Sequence, residues 1–289
     1  MKRIAALILI AGLLLSACGQ DSAQIDISAI LNETAEALLE RTPEPAPGAV
    51  GGDWTVFGMA SWGGEVPEGW FEDYEAKLEE YVIACGGVLH DKRYTEYSRV
   101  VLAVTSMGGD ASDVAGYDLT APLEDFDKTV FQGVNGAIYA LLALDSGGYG
   151  SGELRERYVA HILEQELPAG GWTFMGDAPE ADLTAMALQA LAKYRHREDV
   201  DTAVERSLSV LAELPLETSE SLSQTIAALA ALGIDGSDRR FVRDGKTLLG
   251  QLLEYRCEDG LFCHVLGADG DLLATEQAFL ALCAAAEQV

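Results

Sequence analysis

The sequence predicts an all-α fold in which about six inner and six outer helices form two concentric rings. Three observations predict it. An alanine-rich, helix-sized phrase opened by a polar residue returns at intervals of roughly 40 to 50 residues, the spacing of repeated helix pairs that cannot bury their apolar faces alone. A more heavily charged amphipathic segment precedes most of these phrases. No run sustains the period-two alternation of a strand, so a sheet is not expected.

The elements follow in order. Ile27, Ile30, Leu31, Ala35 and Leu38 mark the first outer helix at helical spacing. The proline-rich stretch Thr42 to Gly48 joins it to the first inner phrase, Asp53 to Ala60. Phe71, Tyr74, Leu78, Tyr81 and Val82 mark the next outer helix, ahead of the phrase Tyr97 to Val104. A helix around Asp125 to Phe131 precedes Asn135 to Leu144, and Leu154, Tyr158, Ile162 and Leu163 precede Asp182 to Ala192. Val204, Leu208 and Leu211 lead to Glu220 to Ala230, while Phe241, Leu248, Leu249 and Leu252 lead to Thr275 to Leu282. The alanine-rich phrases lack a charged stripe and are flanked by glycines, the pattern of helices covered on every side. An apolar content of 49% suffices for a large core, and no linker divides the repeats, so residues 26–289 read as one domain.

Ahead of the repeats lies an address. Lys2 and Arg3, the apolar run Ile4 to Leu15 and the closing Leu15-Ser16-Ala17-Cys18 have the form of a bacterial lipoprotein signal, too short to span a bilayer. Residues 1–17 are therefore expected to be removed, Cys18 to carry a palmitate-type lipid, and residues 18–25 to tether the body to the extracytoplasmic face of the cell membrane. The alternative is an ordinary secretory signal with an incidental cysteine. The formal net charge of −28 disfavours nucleic acid as a partner, because phosphate binding needs clustered Lys and Arg.

Cys257 and Cys263 flank a short loop in a compartment where disulfides persist, so a local bridge between them is expected. The alternative there is zinc with the adjacent His264, but the paired spacing of structural zinc sites is missing and no metal is expected. Cys85 and Cys283 lie in apolar helical surroundings, as buried thiols do.

The stretch from Gly51-Gly-Asp-Trp54 through Tyr94-Thr-Glu-Tyr-Ser-Arg99, Gln132-Gly-Val-Asn-Gly136 and Ala143-Leu-Asp145 to Asp182 through Leu191 resembles the prenyltransferase and squalene-oxidase repeat proteins of bacterial surfaces. The resemblance covers nearly everything after residue 25. It implies the α/α toroid shared by terpenoid cyclases, protein prenyltransferase β subunits and the first domain of cobalamin carriers. Glu164 to Trp172 and Asp259 to Phe262 are similar to the superfamily's glutamine-to-tryptophan turns, which link an outer helix to the next inner one. The proton-donating D-x-D-D-T-A segment of class II cyclases corresponds to Glu180-Ala-Asp-Leu-Thr-Ala185. Asp182 keeps its central position, whereas Leu183 removes a carboxylate that would tune it.

Asp53, Glu96, Asp182, Glu220 and Glu276 occupy equivalent first-turn positions, where the helix dipole favours an acid. If the inner helices run in one direction, Asp53, Trp54, Glu96, Tyr97, Arg99, Gln132, Asn135 and Asp182 converge on one mouth as a candidate ligand site. Arg99 would there either brace neighbouring helices with Glu96 or contact a ligand. The expected function is a lipid-anchored, noncatalytic surface protein that uses no cofactor and binds a small molecule, a glycan or a protein. The alternatives are an enzyme related to terpenoid cyclases, with Asp182 as its acid, or a polysaccharide-acting toroid enzyme with paired acids. An aromatic-walled pocket above Asp182 would favour terpenoid chemistry; a shallow polar mouth would favour binding.

Overall fold

A computed structural model describes residues 25–287. The expected signal, Cys18 and all but the last residue of the tether lie outside the described residues, and no described helix is long and apolar enough to cross a membrane.

The fold is all-α. In chain order the helices are α1 (Ile27–Arg41), α2 (Asp53–Trp62), α3 (Trp70–Ala84), α4 (Thr95–Ser106), α5 (Phe126–Thr129) and α6 (Val134–Gly147). They continue with α7 (Gly152–Glu164), α8 (Ala181–Leu191), α9 (Glu198–Glu213), α10 (Ser219–Ala231), α11 (Leu248–Leu252) and α12 (Leu272–Ala286). Side chains start several of them: Asp26, Ser151, Thr218 and Asp271 each accept a backbone N–H of the first turn. Glycines stop α2 and α6, with Gly63 and Gly148 in the left-handed region at φ 67° and 68°.

The six alanine-rich phrases are α2, α4, α6, α8, α10 and α12. Each packs on the next, and α12 packs on α2. Short side chains permit this approach, and Gly58 marks the tightest point of closure, since a Cβ there would meet the Phe279 ring at 2.9 Å. The amphipathic helices pack against this set, α7 on α6, α9 on α8, α11 on α10, and the first helix, α1, on the last, α12; the two sets are called outer and inner below. Arg41–Asp259 and Arg256–Glu33 ion pairs tie α1 to the segment that leads into α12.

One device is built twice where an outer helix hands over to an inner one. Before α8, the Trp172 N–H donates to Thr184 Oγ1 at 3.0 Å, and the indole N–H donates to the Ile162 carbonyl at 2.7 Å. Before α12, the Phe262 N–H donates to Thr275 Oγ1 at 2.8 Å. Both aromatic rings are fully buried, so each turn is pinned by an aromatic plug and a threonine of the following helix.

Three expectations change. The outer helix expected through Phe241 to Leu252 is split into a 3-10 turn, Arg239–Phe241, and the short α11. Asp244 and Gly245 between them take positive φ, 49° and 77°, inside the small loop bridged by Arg243 and Lys246, which a helix cannot continue through. A two-residue antiparallel hairpin, β1 (Phe262–Cys263) with β2 (Gly270–Asp271), replaces plain loop. Cys257 and Cys263 carry free thiols and do not form the expected bridge. Their turn is closed by backbone hydrogen bonds instead, Cys257 N–H to the Leu261 carbonyl at 2.8 Å and Gly260 N–H to the Cys257 carbonyl at 3.2 Å.

Thr184→Val keeps the shape of the plug and removes its hydrogen bonds. It should lower the unfolding free energy by about 1–3 kcal/mol, read from the urea midpoint at unchanged slope. An unaltered midpoint would mean that the pin does not hold the turn.

Candidate functional site

Hydrogen bonds join neighbouring helices of the inner set near their N-terminal ends. Arg99 Nε of α4 meets Asp53 Oδ2 of α2 at 2.6 Å. Ser221 Oγ of α10 donates to Asp182 Oδ1 of α8 at 2.5 Å. Thr55 Oγ1 of α2 donates to Glu276 Oε1 of α12 at 2.6 Å. Asp53, Glu96, Asp182 and Glu220 lie in the first turns of their helices, whereas α12 begins at Leu272 and carries Glu276 one turn further in than expected.

What they form there is mostly closed. Asp53 is fully buried: Tyr74 Oη donates to one oxygen at 2.6 Å, and Arg99 and the Gly48 N–H, at 3.1 Å, donate to the other. Glu96 completes the cluster by pairing with the other arm of Arg99. Burial alone would weaken the Arg99 charge, but Asp53 and Glu96 outweigh it and hold the guanidinium protonated. Gln132 caps α4, accepting the Thr95 N–H at 3.1 Å and donating to its hydroxyl at 3.2 Å. Tyr97 is buried core, its ring 5.3 Å from that of Tyr94. Asn135 is half-buried and makes no side-chain hydrogen bond among the described residues.

The acids beside this cluster are less comfortable. Burial pushes the Asp182 carboxyl up, the Ser221 hydroxyl only partly offsets it, and Glu220 and Glu180 push the same way. Burial likewise raises Glu276, whose Oε1 accepts from Thr55 and the Gly51 N–H while its Oε2 has no partner among the described residues.

A cavity of about 470 Å3 lies between the six inner helices, within the range of small-molecule sites. All six inner helices line it. Trp54 and Phe57 of α2, Leu102 of α4, Tyr139 and Leu142 of α6 and Met186 of α8 make an apolar, aromatic-rich wall. Trp54 lies 5.9 Å from the Tyr139 ring. Gln189 of α8, Gln224 of α10 and Gln277 of α12 make an amide wall, and Ala227, Ala230, Ala231 and Ala284 leave the room. Burial pushes the Tyr139 phenol up to about 12, with Arg99 and Asp182 both near enough to act on it in opposite senses. Its hydroxyl has no hydrogen-bond partner among the described residues and stays protonated, able to donate to a guest.

Of the eight residues expected at a mouth, Trp54 lines this cavity and the other seven do not. Phe57, Leu102, Tyr139, Met186 and the three glutamines were missed, although one signal was present for Gln189, which interrupts the apolar run Ala185 to Leu191 of α8. Among the described residues no group of three or more His, Cys, Asp or Glu side chains could hold a metal ion.

Because Asp53 is buried with both oxygens occupied, Arg99→Met leaves a charge without its partner. Unfolding free energy should fall by about 3–5 kcal/mol in a urea titration. A melting profile unchanged by the substitution would instead assign Arg99 to a ligand.

No protein-family model matches the chain, and no curated protein matches it in sequence.

Proposed function

We propose that the chain is a lipid-anchored extracytoplasmic protein, an α/α toroid whose central cavity binds a small, largely apolar ligand. The observation that carries this reading is the cavity itself: a space of about 470 Å3 reached by one face of every inner helix, walled by Trp54, Phe57, Tyr139 and Met186. The toroid rests on the succession of contacts from α2 through α12 and back to α2, and on the resemblance to prenyltransferase and squalene-oxidase repeats. The anchor rests on the Leu15-Ser16-Ala17-Cys18 segment.

Binding accounts for the site better than catalysis. The first-turn acids are engaged in holding helices together, and Asp182, the one acid placed as a cyclase would need it, is not on the cavity wall. A terpenoid-cyclase relative remains the second reading, favoured by the aromatic wall and by the burial that keeps a proton on Asp182 more readily than on an ordinary aspartate.

Ala227→Trp places an indole in the cavity from α10. The variant should fold with a melting temperature close to wild type and lose the quenching of tryptophan fluorescence that decanamide or farnesol produces in the wild type. Quenching that survives the filled cavity would move the binding site elsewhere. For the anchor, Cys18→Ala should shift the protein from the membrane pellet to the soluble fraction of a Gram-positive or Gram-negative host, and continued sedimentation with membranes would refute lipidation.

A further inference from the structure

We propose that the cavity selects a neutral lipophile with an amide-type edge, a carbonyl beside an N–H, over fatty acids and other anions. The inference deepens the ligand-binding reading and rests on it.

The three glutamines form one hydrogen-bonded chain across three helices. Gln189 Nε2 donates to Gln224 Oε1 at 2.8 Å, and Gln224 Nε2 donates to Gln277 Oε1. A side-chain amide can be turned end for end, but this chain cannot. Gln189 Nε2 also donates to the backbone carbonyl of Gln224 at 3.3 Å, and a carbonyl only accepts. The direction is therefore set from α8 to α12.

Its two ends differ in consequence. At the α8 end Gln189 Oε1 remains an acceptor without a partner among the described residues. At the α12 end both hydrogens of Gln277 Nε2 remain donors. A guest group can meet either end, a donor at the Gln189 oxygen or an acceptor at the Gln277 nitrogen, and its remaining surface must match the apolar wall of Trp54, Leu142 and Met186. A carboxamide supplies both hydrogen-bonding groups; an ester supplies the acceptor alone.

Charge completes the selection. Among the described residues Glu287 is the one charged residue on the cavity wall, and the chain carries a net charge of −28. An anion would have to shed its water without a cation to receive it. A pure hydrocarbon would bury the free amide ends with nothing to bond them.

Decanamide, methyl decanoate and decanoate share one chain length and separate these cases, at a pH where decanoate is ionised. Isothermal titration of the full mature chain should give affinity in that order, with decanamide about tenfold or more tighter than decanoate. Gln189→Leu should bring the amide down to the ester, while Gln277→Leu should weaken both. Equal or tighter binding of decanoate to the wild type would overturn the proposal, and this comparison needs no variant to fold. An amide-to-ester ratio unmoved by a folded Gln189→Leu would overturn it too. Failure of decanamide, methyl decanoate, decanoate and farnesol alike to bind would defeat the ligand-binding reading itself.

Discussion

The contact between α12 and α2 is the constraint on which the rest depends. Each alanine-rich helix is apolar around its girth and needs a neighbour on both sides; five of the six contacts join consecutive phrases, but the sixth joins helices more than 200 residues apart. Gly58 lets Phe279 approach, Thr55 binds Glu276, and α1 covers the join from outside. The cavity exists because this contact is made: without it, α2 and α12 would expose the faces that now wall the space. Burying a carboxyl such as Glu276 at the join, with one oxygen unpartnered among the described residues, costs stability that the surrounding apolar packing offsets.

The acid-rich ends and the cavity divide the labour. Arg99 pairs with both Asp53 and Glu96, Arg93 adds a second cation beside Glu96, and Tyr74 from α3 seals the cluster. Such a buried group specifies which helix sits beside which more than it adds net stability. The middle of the same helices is left to small and amide side chains. Alanine on α10 and α12 creates volume there, whereas larger residues on α2, α4 and α6 supply apolar surface to the other side.

Much of the helical layout was legible in the amino-acid pattern. The phrase Asp182 to Ala192 lies on α8, Glu220 to Ala230 on α10 and Asn135 to Leu144 on α6, with ends displaced by a few residues at most. Full coverage is what made them legible, since a helix with no solvent stripe needs partners all round. That property hid the cavity. When every face of a helix is apolar, composition does not tell the side that packs from the side that lines empty space, and Tyr139 or Met186 reads as core. The pairing of Arg99 with Glu96 was foreseen, but the closure of the cluster around Asp53 was not: Arg99 reaches it from α4, and Tyr74 reaches it from a helix whose pattern says only that it is amphipathic. The break at Asp244-Gly245 is a local matter of backbone conformation that the apolar spacing of Phe241 and Leu248 masks.

The space between α2, α4, α6, α8, α10 and α12 is walled by apolar side chains and by a row of three glutamines. Xenon under pressure reports on such a space in a crystal, because it occupies apolar voids without needing a hydrogen bond. Xenon density against Trp54, Leu142 and Met186, with ordered water along Gln189, Gln224 and Gln277, is the predicted result. Side chains of α2, α6 and α10 meeting across the centre, with no xenon between them, would contradict it.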